Sequence, residues 1–375
     1  MTNAELLSIG AELLLGETTD TNAAFLGREM ATVGLPLQAV RTLPDERSVI
    51  RDAFAEARRR SSVVLATGGL GPTHDDLSRE GLADALDEAL NEDSGLVAVL
   101  EERFRAFGRM PATNRRQAML IPSAEPLPNP IGSAPGWWVE RDGVVVALMP
   151  GVPSEMRRMW AEQVRPRLEA RHALPPLAIR TVKAFGIGES AMAERLGDLI
   201  AVPPAGVDAG IYARDDGVHV RFSTHASVST LEPLVADALA RLGDAAYGTE
   251  GEDLATVALA RLGELGVRTV ASWEADTEGA LLGILAAAPA RDGSARFVGG
   301  LLDAGTPTGP PVADAVIQLS LLPQDRGGRS RVRVAVSGAV SLSTELRIHG
   351  SGPQRLRRAA FAALDAVRRI SSTGR

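Results

Sequence analysis

The first seventy residues alternate between strand-like and helix-like patterns, and this alternation constrains the fold more than any other feature. Largely apolar runs at residues 4–9, 35–42 and 63–67 predict strands, and the amphipathic runs 22–33 and 46–60 predict helices. A βαβαβ series of this kind indicates a mostly parallel sheet with right-handed crossovers. Ligands of such sheets bind beyond the carboxyl ends of the strands, so the loops after these strands form the candidate site.

The loop after the third strand joins glycines to acidic residues. It reads Ala66-Thr-Gly-Gly-Leu-Gly-Pro-Thr-His-Asp-Asp76 and precedes a helical pattern from Arg79 to Asn91. Glycines let backbone N–H groups approach an oxyanion, and a helix N-terminus favours negative charge. Two carboxylates beside a phosphate repel it unless a divalent cation such as magnesium lies between them. Asp75 and Asp76 could equally cap the helix, and spacing alone leaves both interpretations open.

The remainder of the chain predicts three domains, 1–171, 172–248 and 249–375. A strand at 144–148 leads into a helix that ends the first domain near Ala170, and Pro175-Pro176 marks a linker. The second domain alternates strand, helix, two strands and helix, which is typical of a small α+β module. The third domain has a further α/β pattern, with helices predicted at 253–265 and 353–369 and strands at 267–271 and 331–336. Between them lie a Gly-, Ala- and Pro-rich stretch at 287–312 and a predicted turn at Arg326–Arg329.

Composition excludes several kinds of chemistry. The chain has no cysteine, which rules out disulfides, thiolate metal sites and cysteine nucleophiles. No apolar run approaches the roughly 18 residues that span a bilayer, and the N-terminus lacks a signal-peptide pattern, so we expect a cytoplasmic protein without a membrane segment. Hydrophobic residues make up 45% of the 375 residues, enough for separate cores, and the net charge of −7 argues against direct nucleic-acid binding.

Six motifs, in order along the chain, resemble the competence/damage-inducible protein CinA family. They are Gly10-Ala-Glu-Leu-Leu-Leu-Gly16, Asp20-Thr-Asn22, Gly68-Gly-Leu-Gly-Pro-Thr-His-Asp-Asp76, Asn114-Arg-Arg-Gln117, Gly132-Ser-Ala-Pro-Gly136 and Pro150-Gly-Val-Pro-Ser-Glu-Met156. The resemblance implies an α/β fold whose first domain is a three-layer, MoaB/MogA-like molybdopterin-binding domain. Phe185-Gly-Ile-Gly-Glu-Ser190 extends the resemblance into a KH-like second domain, and the third is similar to a nicotinamide mononucleotide deamidase domain.

For the first domain, the resemblance implies ADP-ribose pyrophosphatase activity supported by a divalent metal, magnesium or similar, with a monovalent cation as a further option. The expected catalytic residues are Asp45, Asp75 and Asp76, and the expected metal ligands are Asp75, Asp76 and Glu12. The residues expected to bind the phosphates or other parts of the substrate are Gly68, Gly69, Gly71, Thr73, Asn22, Gly151 and Glu155.

Three other residues have alternative roles. Asn22 lies at a helix start, where capping competes with ligand binding. His74 is a candidate auxiliary acid or base. Either Trp137 or Trp138 could stack on a purine, but not both, because adjacent strand residues face opposite sides.

The third domain departs from the deamidase pattern. Family members resemble Ala-Glu-Ser-Cys-Thr-Gly-Gly after the first strand, whereas this chain reads Trp273-Glu-Ala-Asp-Thr-Glu-Gly279, with Ala275 in place of the nucleophilic serine. The Gly-rich segment is also reduced to Phe297–Gly300 and Thr306–Pro311. We therefore predict no deamidase activity and a structural or dimerising role in a homodimer. Two alternatives remain for the whole protein: a non-catalytic molybdopterin- or nucleotide-binding protein, or an adaptor in DNA uptake or repair.

Overall fold

The computed structural model describes residues 3–105, 108–172, 175–303, 311–324, 330–348 and 352–371. The chain divides into two compact units, Met1–Leu177 and Ala178–Arg375, which we call the N-terminal unit and the C-terminal unit. Among the described residues, no helix is both long enough and apolar enough to cross a membrane.

The N-terminal unit is built on a six-stranded mixed sheet. Its strands are β1 (Ala4–Ile9), β2 (Leu37–Leu43), β3 (Val63–Thr67), β4 (Asn91–Glu92), β5 (Met119–Leu120), β6 (Ala124–Leu127), β7 (Gly136–Arg141) and β8 (Val144–Met149). The sheet order is β2-β1-β3-β8-β7-β6, while β4 and β5 form a separate pair. Strands β2, β1, β3 and β8 form a parallel group. Strand β7 pairs antiparallel with β8, and β6 pairs antiparallel with β7.

Helices cover both faces of this sheet. They are α1 (Ala11–Leu14), α2 (Thr21–Thr32), α3 (Arg47–Arg60), α4 (Ser78–Leu86), α5 (Ser94–Phe104), α6 (Pro153–Met159) and α7 (Arg165–Arg171), with a π-helical turn at Trp160–Val164 and a 3-10 segment at Ala112–Ala118. One apolar core packs Ile50 and Phe54 of α3 against the sheet, and a second packs Leu26 and Met156 against the other face. This three-layer arrangement confirms the predicted fold class.

The first part of the C-terminal unit is an α+β module, as predicted. It contains β9 (Ala178–Ala184), α8 (Glu189–Leu196), α9 (Asp198–Ala201), β10 (Val207–Arg214), β11 (Gly217–Thr224), α10 (Glu232–Leu242) and β12 (Ala246–Gly248). The strands pair antiparallel in the order β10-β11-β9-β12.

A five-stranded sheet forms the rest of the C-terminal unit, in the order β14-β13-β15-β16-β17. Its elements are α11 (Leu254–Glu264), β13 (Thr269–Ala275), α12 (Ala280–Ala287), β14 (Arg296–Asp303), β15 (Ala315–Leu322), β16 (Ser330–Gly338), β17 (Leu342–Ile348) and α13 (Gly352–Arg368). Tyr247 belongs to the core of this part, and Phe185 packs against it, so the two parts share apolar contacts.

Several predicted boundaries were wrong. The helix predicted to reach Asn91 ends at Leu86, because Asp87 adopts a left-handed conformation with φ 54°. The first helix of the second domain breaks at Gly197, whose φ is 52°. Strand β14 lies in the Gly-, Ala- and Pro-rich stretch at 287–312, while most of Thr306–Pro311 and the Arg326–Arg329 turn fall outside the described residues.

Candidate functional site

A cavity of about 420 Å³ opens at the carboxyl ends of the parallel strands in the N-terminal unit. Each parallel strand supplies a segment: Gly10 and Glu12 follow β1, Asp45 follows β2, the loop Gly68–Asp76 follows β3, and Gly151 follows β8. This placement follows from the topology, since parallel strands end at one edge of the sheet. The cavity brings together every predicted site residue except Asn22, namely Glu12, Asp45, Gly68, Gly69, Gly71, Thr73, Asp75, Asp76, Gly151 and Glu155.

The path of the Gly68–Asp76 segment, which we call the glycine loop, requires glycine at its start. Gly68 and Gly69 have φ values of 95° and 63°, in the left-handed region that side chains rarely adopt. A Cβ at Gly68 would overlap the carbonyl oxygen of Ile9, and one at Gly69 would overlap the hydroxyl of Ser78. That hydroxyl donates to the Gly68 carbonyl at 2.7 Å. The loop therefore packs directly against β1 and the start of α4.

Asp76 holds the glycine loop from within. Its Oδ1 accepts from the Gly71 N–H at 2.7 Å, and its Oδ2 accepts from the Thr73 N–H at 2.8 Å and from the Thr73 hydroxyl. Three loop donors are thus satisfied by one carboxylate. Gly71 and Thr73 were predicted to donate to a phosphate, but in this conformation their N–H groups are bound to Asp76. Asp76 does not cap α4, whose N-terminus has no side-chain cap, and its contacts instead give it a structural role within the loop.

The other acidic side chains of the cavity retain oxygen atoms for a ligand. Asp45 accepts the Ala11 N–H through Oδ2 at 2.8 Å, which leaves Oδ1. Glu155 accepts from Asn129 through Oε2 at 2.7 Å, which leaves Oε1. Asp75 is exposed, and the Thr73 side chain, followed by its own backbone N–H, lowers the pKa of its carboxyl. Asp75 is therefore ionised at neutral pH.

Asn22 does not line the cavity and does not cap α2. The capping side chain is Asp20, which accepts the Ala23 N–H at 2.8 Å. Asn22 is buried and donates to the Gly151 carbonyl at 2.7 Å, so it fixes the segment after β8. Both sequence-based interpretations of Asn22, as a substrate contact or a helix cap, give way to a positioning role.

Two arginines support the glycine loop from outside the cavity. Arg79 is buried and donates to the carbonyls of Leu70 at 2.9 Å and Pro135 at 3.2 Å. Burial lowers the pKa of Arg79 to about 10, so it stays charged at neutral pH. Arg116 donates to the carbonyl of Thr73 and to Glu80, the latter at 2.7 Å. None of the residues that line the cavity itself is basic.

Sequence reasoning did not select three polar residues of this site. Gln117 and Ser133 line the cavity, and Asn129 orients Glu155. Gln117 and Ser133 occur in motifs that carried the family resemblance, and those motifs were the available signal. Asn129 and Glu155 are 26 positions apart, and no local pattern joins them.

Three candidate side chains, Trp137, Trp138 and His74, do not line the cavity. Trp137 and Trp138 are both buried, in the cores on opposite faces of the sheet. The opposite facing was predicted correctly, but stacking of either ring on a purine was wrong. His74 is 98% exposed and lies 3.9 Å from Asp75, outside the cavity lining.

The carboxylate oxygens of this cavity suit a magnesium-type ion better than a metal ion that is coordinated entirely by protein side chains. In the described part of the chain, no group of three or more His, Asp or Glu side chains is close enough to form a ready-made metal site. Mg²⁺ keeps several waters and binds one or two carboxylates together with substrate phosphates. Asp45, Asp75, Glu12 and Glu155 can supply that smaller number of oxygen ligands.

The loop Glu274–Gly279 in the C-terminal unit, which we call the C-terminal loop, has no hydroxyl where the deamidase pattern has its serine. Strand β13 ends at Ala275. Buried Glu274 accepts from the Thr277 hydroxyl at 2.7 Å and from the N–H groups of Leu281 at 3.0 Å and Leu282 at 2.6 Å. The loop is thus well connected to α12, while its Ala275 methyl group cannot act as a nucleophile.

Comparison with known families matches two regions of the chain. Residues 5–170 match the family described as "Probable molybdopterin binding domain", and residues 179–248 match "Damage-inducible protein CinA KH domain". A solved structure titled as the protein CinA with unknown function, from Thermoplasma acidophilum, is 32% identical, with a TM-score of 0.42, and covers 44% of this chain and 98% of its own.

Curated relatives extend the match. A CinA-like protein of Thermomicrobium roseum is 46% identical over 258 residues, which are 67% of this chain and 63% of the relative, so this chain spans less than two thirds of that protein. A CinA-like protein of Deinococcus deserti is 45% identical over 293 residues, 76% of this chain and 71% of the relative. The sequence motifs and these matches agree, and the chain belongs to the CinA family.

Proposed function

We propose that the N-terminal unit catalyses metal-dependent hydrolysis of the diphosphate of ADP-ribose or a related nucleotide, releasing AMP and ribose 5-phosphate. The supporting observation is the acidic lining of the cavity, where Glu12, Asp45, Asp75, Asp76 and Glu155 surround the glycine loop without a basic side chain. Such a lining repels a bare diphosphate and suits one that arrives with a divalent cation.

The metal and the side chains have separate tasks in this proposal. A bound divalent ion would supply charge neutralisation at the phosphate oxygens, and one or two of the carboxylates of Asp45, Asp75, Glu12 and Glu155 would hold it. The chain itself positions these groups. The Ala11 N–H fixes Asp45, and Asn129 fixes Glu155, so each presents one remaining oxygen to the cavity.

Hydrolysis also needs an acceptor for the proton of the attacking water. Asp75 is ionised at neutral pH and exposed at the cavity wall, so it can accept that proton, either directly or through Asp45. The water oxygen then bonds to the phosphorus on the ribose 5-phosphate side as the bond from that phosphorus to the bridging oxygen breaks, and AMP leaves with the bridging oxygen and the electron pair of that bond. Asp76 contributes by holding the loop in shape.

The test is release of AMP from ADP-ribose by the full chain, with and without added Mg²⁺. Asp75→Asn and Asp45→Asn should each lower kcat about 100-fold, the lower range for loss of an acid–base group. Asp52→Asn, an exposed surface change on α3, is the matched control and should keep wild-type turnover. Turnover that needs no metal, or that survives in both site variants, would contradict the proposal.

A second candidate function is ligand binding without hydrolysis. It is favoured by the lack of a preformed three-ligand metal cluster within the described residues. The same assay separates the two functions: a folded protein that binds AMP or a pterin phosphate and releases no AMP from ADP-ribose supports the binding role.

We also propose that the C-terminal unit lacks deamidase activity and serves a structural role, such as dimerisation. Ala275 stands where the deamidase pattern has its serine, and covalent catalysis without its nucleophile falls by orders of magnitude. Ammonia release from nicotinamide mononucleotide should stay at the background level of a reaction without protein. Turnover comparable to that of an intact deamidase would contradict this proposal.

A further inference from the structure

The motif Phe185-Gly-Ile-Gly-Glu-Ser190 has no part in the proposed hydrolysis, yet it lines a second cavity. This cavity lies within the C-terminal unit and has a volume of about 510 Å³. Its other walls come from the turn between β10 and β11, the end of β17 and helix α13. Small-molecule sites commonly measure about 300 to 1,000 Å³, so a nucleotide-sized ligand fits.

The charged side chains of this cavity are mainly arginines. Arg214, Arg347 and Arg358 line it, against the acidic Asp215 and Glu189. Asp215 is already paired at 3.4 Å with an arginine outside the lining, Arg357. Within the described part of the chain, neither Arg214 nor Arg347 has an ion-pair partner. The cavity therefore carries the positive charge that the N-terminal cavity lacks.

The rest of the cavity wall is apolar. Phe185 and Ile187 contribute from the loop, and Val218, Ile348 and Ala362 contribute from the surrounding elements. Phe185 also packs against the core of the C-terminal unit, which fixes the position of its ring. An apolar wall beside arginines suits a ligand with a flat organic part and an anionic group.

The backbone adds a smaller positive electrostatic potential to the cavity. Helix α8 begins after Gly188, and no side chain caps its N-terminus. Its first N–H groups and the positive end of its dipole therefore lie at the loop that lines the cavity. Gly186, with φ 74°, lets this loop pass close to Arg369, whose Nη2 would be 4.0 Å from an added Cβ.

We propose that this cavity binds a small phosphate ester with an aromatic or apolar group, such as a nucleoside monophosphate. Arg214 and Arg347 bind the phosphate, and the wall around Phe185 contacts the ring. Binding here is independent of hydrolysis in the N-terminal unit, and no chemical step is required.

The two tyrosines of the chain provide a local probe for this test. Tyr212 and Tyr247 both belong to the C-terminal unit. The Tyr212 ring lies 5.8 Å from the guanidinium of Arg214 and 4.6 Å from that of Arg221. Tyr247 is buried and donates to Asp216 at 2.7 Å. With 3-fluorotyrosine in the full chain, ¹⁹F NMR gives one resonance beside the cavity and one internal reference.

Titration with AMP should shift the Tyr212 resonance in a saturable way and leave the Tyr247 resonance unchanged. Uncharged adenosine should produce no shift at the same concentrations. Arg347→Gln should weaken AMP binding about tenfold, as expected for loss of a charge-assisted hydrogen bond. The matched control is Arg333→Gln, on neighbouring β16 and paired with Glu345 at 2.9 Å outside the cavity, and it should bind AMP as wild type does.

Hydrolysis and binding are separated by a third variant. Asp75→Asn should retain the Tyr212 shift, whatever happens to AMP release from ADP-ribose. Three results would each overturn the proposal: no Tyr212 shift at millimolar AMP, an equal shift with adenosine, or unchanged affinity in Arg347→Gln. A single-stranded oligonucleotide that shifts Tyr212 at lower concentration than AMP would also overturn it, in favour of nucleic-acid binding.

Discussion

The glycine loop and the C-terminal loop solve the same structural problem with different residues. Each follows a parallel strand, and in each a single carboxylate accepts three hydrogen bonds that fix the turn into the next segment, Asp76 in one and Glu274 in the other. In the glycine loop, the left-handed residues are both glycines, Gly68 and Gly69. In the C-terminal loop, two of the three left-handed residues, Asp276 and Glu278, carry side chains at φ 58° and 53°, and the third is Gly279.

The two loops differ in the side chains around the carboxylate that accepts these three hydrogen bonds. The glycine loop borders a cavity with four further acidic side chains, Glu12, Asp45, Asp75 and Glu155. The C-terminal loop offers Ala275 at the position of the expected nucleophile. A loop can therefore keep its hydrogen-bonded shape after its reactive group is gone, and shape alone does not indicate activity.

The largest effect is expected from Gly68→Ala. The new methyl group would meet the Ile9 carbonyl, and alanine would have to adopt φ 95°. We expect the unfolding free energy of the N-terminal unit to fall by about 3 kcal/mol or more. Urea unfolding followed by tryptophan fluorescence in a Trp273→Phe background measures this, because the remaining tryptophans, Trp137, Trp138 and Trp160, all lie in this unit.

Gly27→Ala is the matched control for this change. Gly27 lies inside helix α2, and nothing lies within 4 Å of an added Cβ. Alanine there should stabilise the unit by about 0.5 kcal/mol, because glycine is unfavourable in a helix interior. Equal behaviour of the two variants would show that the glycine loop tolerates side chains at its start.

A slightly smaller loss is expected from Glu274→Ala in the C-terminal loop. The change leaves the Thr277 hydroxyl and two backbone N–H groups of α12 without their acceptor in a buried position. We expect the C-terminal unit to lose about 3 kcal/mol. The ¹⁹F resonances of Tyr212 and Tyr247 report its unfolding in urea, with the exposed change Glu264→Ala as control.

Asp76→Ala tests whether the Asp76 carboxylate stabilises its loop as the Glu274 carboxylate does. Its partners are more exposed than those of Glu274, so we expect a smaller loss, about 2 kcal/mol, in the N-terminal unit. Asp75→Ala, next in sequence, should leave stability near that of the wild type while lowering the rate of AMP release about 100-fold. If Asp75→Ala destabilises the unit as much as Asp76→Ala, the division of roles between the two residues is wrong.

The sequence predicted the strands of the site better than the contacts within it. Strands β1 and β3 have the predicted bounds, because both are mostly apolar and every residue of both is buried under the helices on the two faces. Because parallel strands end at one edge of the sheet, these strands indicated where the cavity lies. The bond from Gly71 to Asp76 depends on how the loop closes on itself, and the pairing of Asn129 with Glu155 depends on tertiary structure.

In the C-terminal unit, the prediction was weaker because local patterns were ambiguous. Strand β14 contains Gly299 and Gly300, which disfavour a strand by propensity. Gly300 is required by a close approach instead, since a Cβ there would overlap the Ser272 hydroxyl on the neighbouring strand β13. Such a requirement appears only when the two strands are paired.

The smallest expected effect has the opposite sign and comes from Glu278→Gly. Glu278 has φ 53°, and the left-handed conformation costs a residue with a Cβ about 1 kcal/mol relative to glycine. The variant should therefore stabilise the C-terminal unit by somewhat less than that amount, because glycine also gains entropy in the unfolded chain. The control is Ala260→Gly, inside helix α11, which should destabilise the unit by about 1 kcal/mol. Stabilisation by the first change and destabilisation by the second, both read from the tyrosine resonances in urea, would show that the C-terminal loop keeps a backbone shape suited to glycine. Loss of stability in Glu278→Gly would mean instead that the Glu278 side chain contributes more to this loop than its backbone conformation costs.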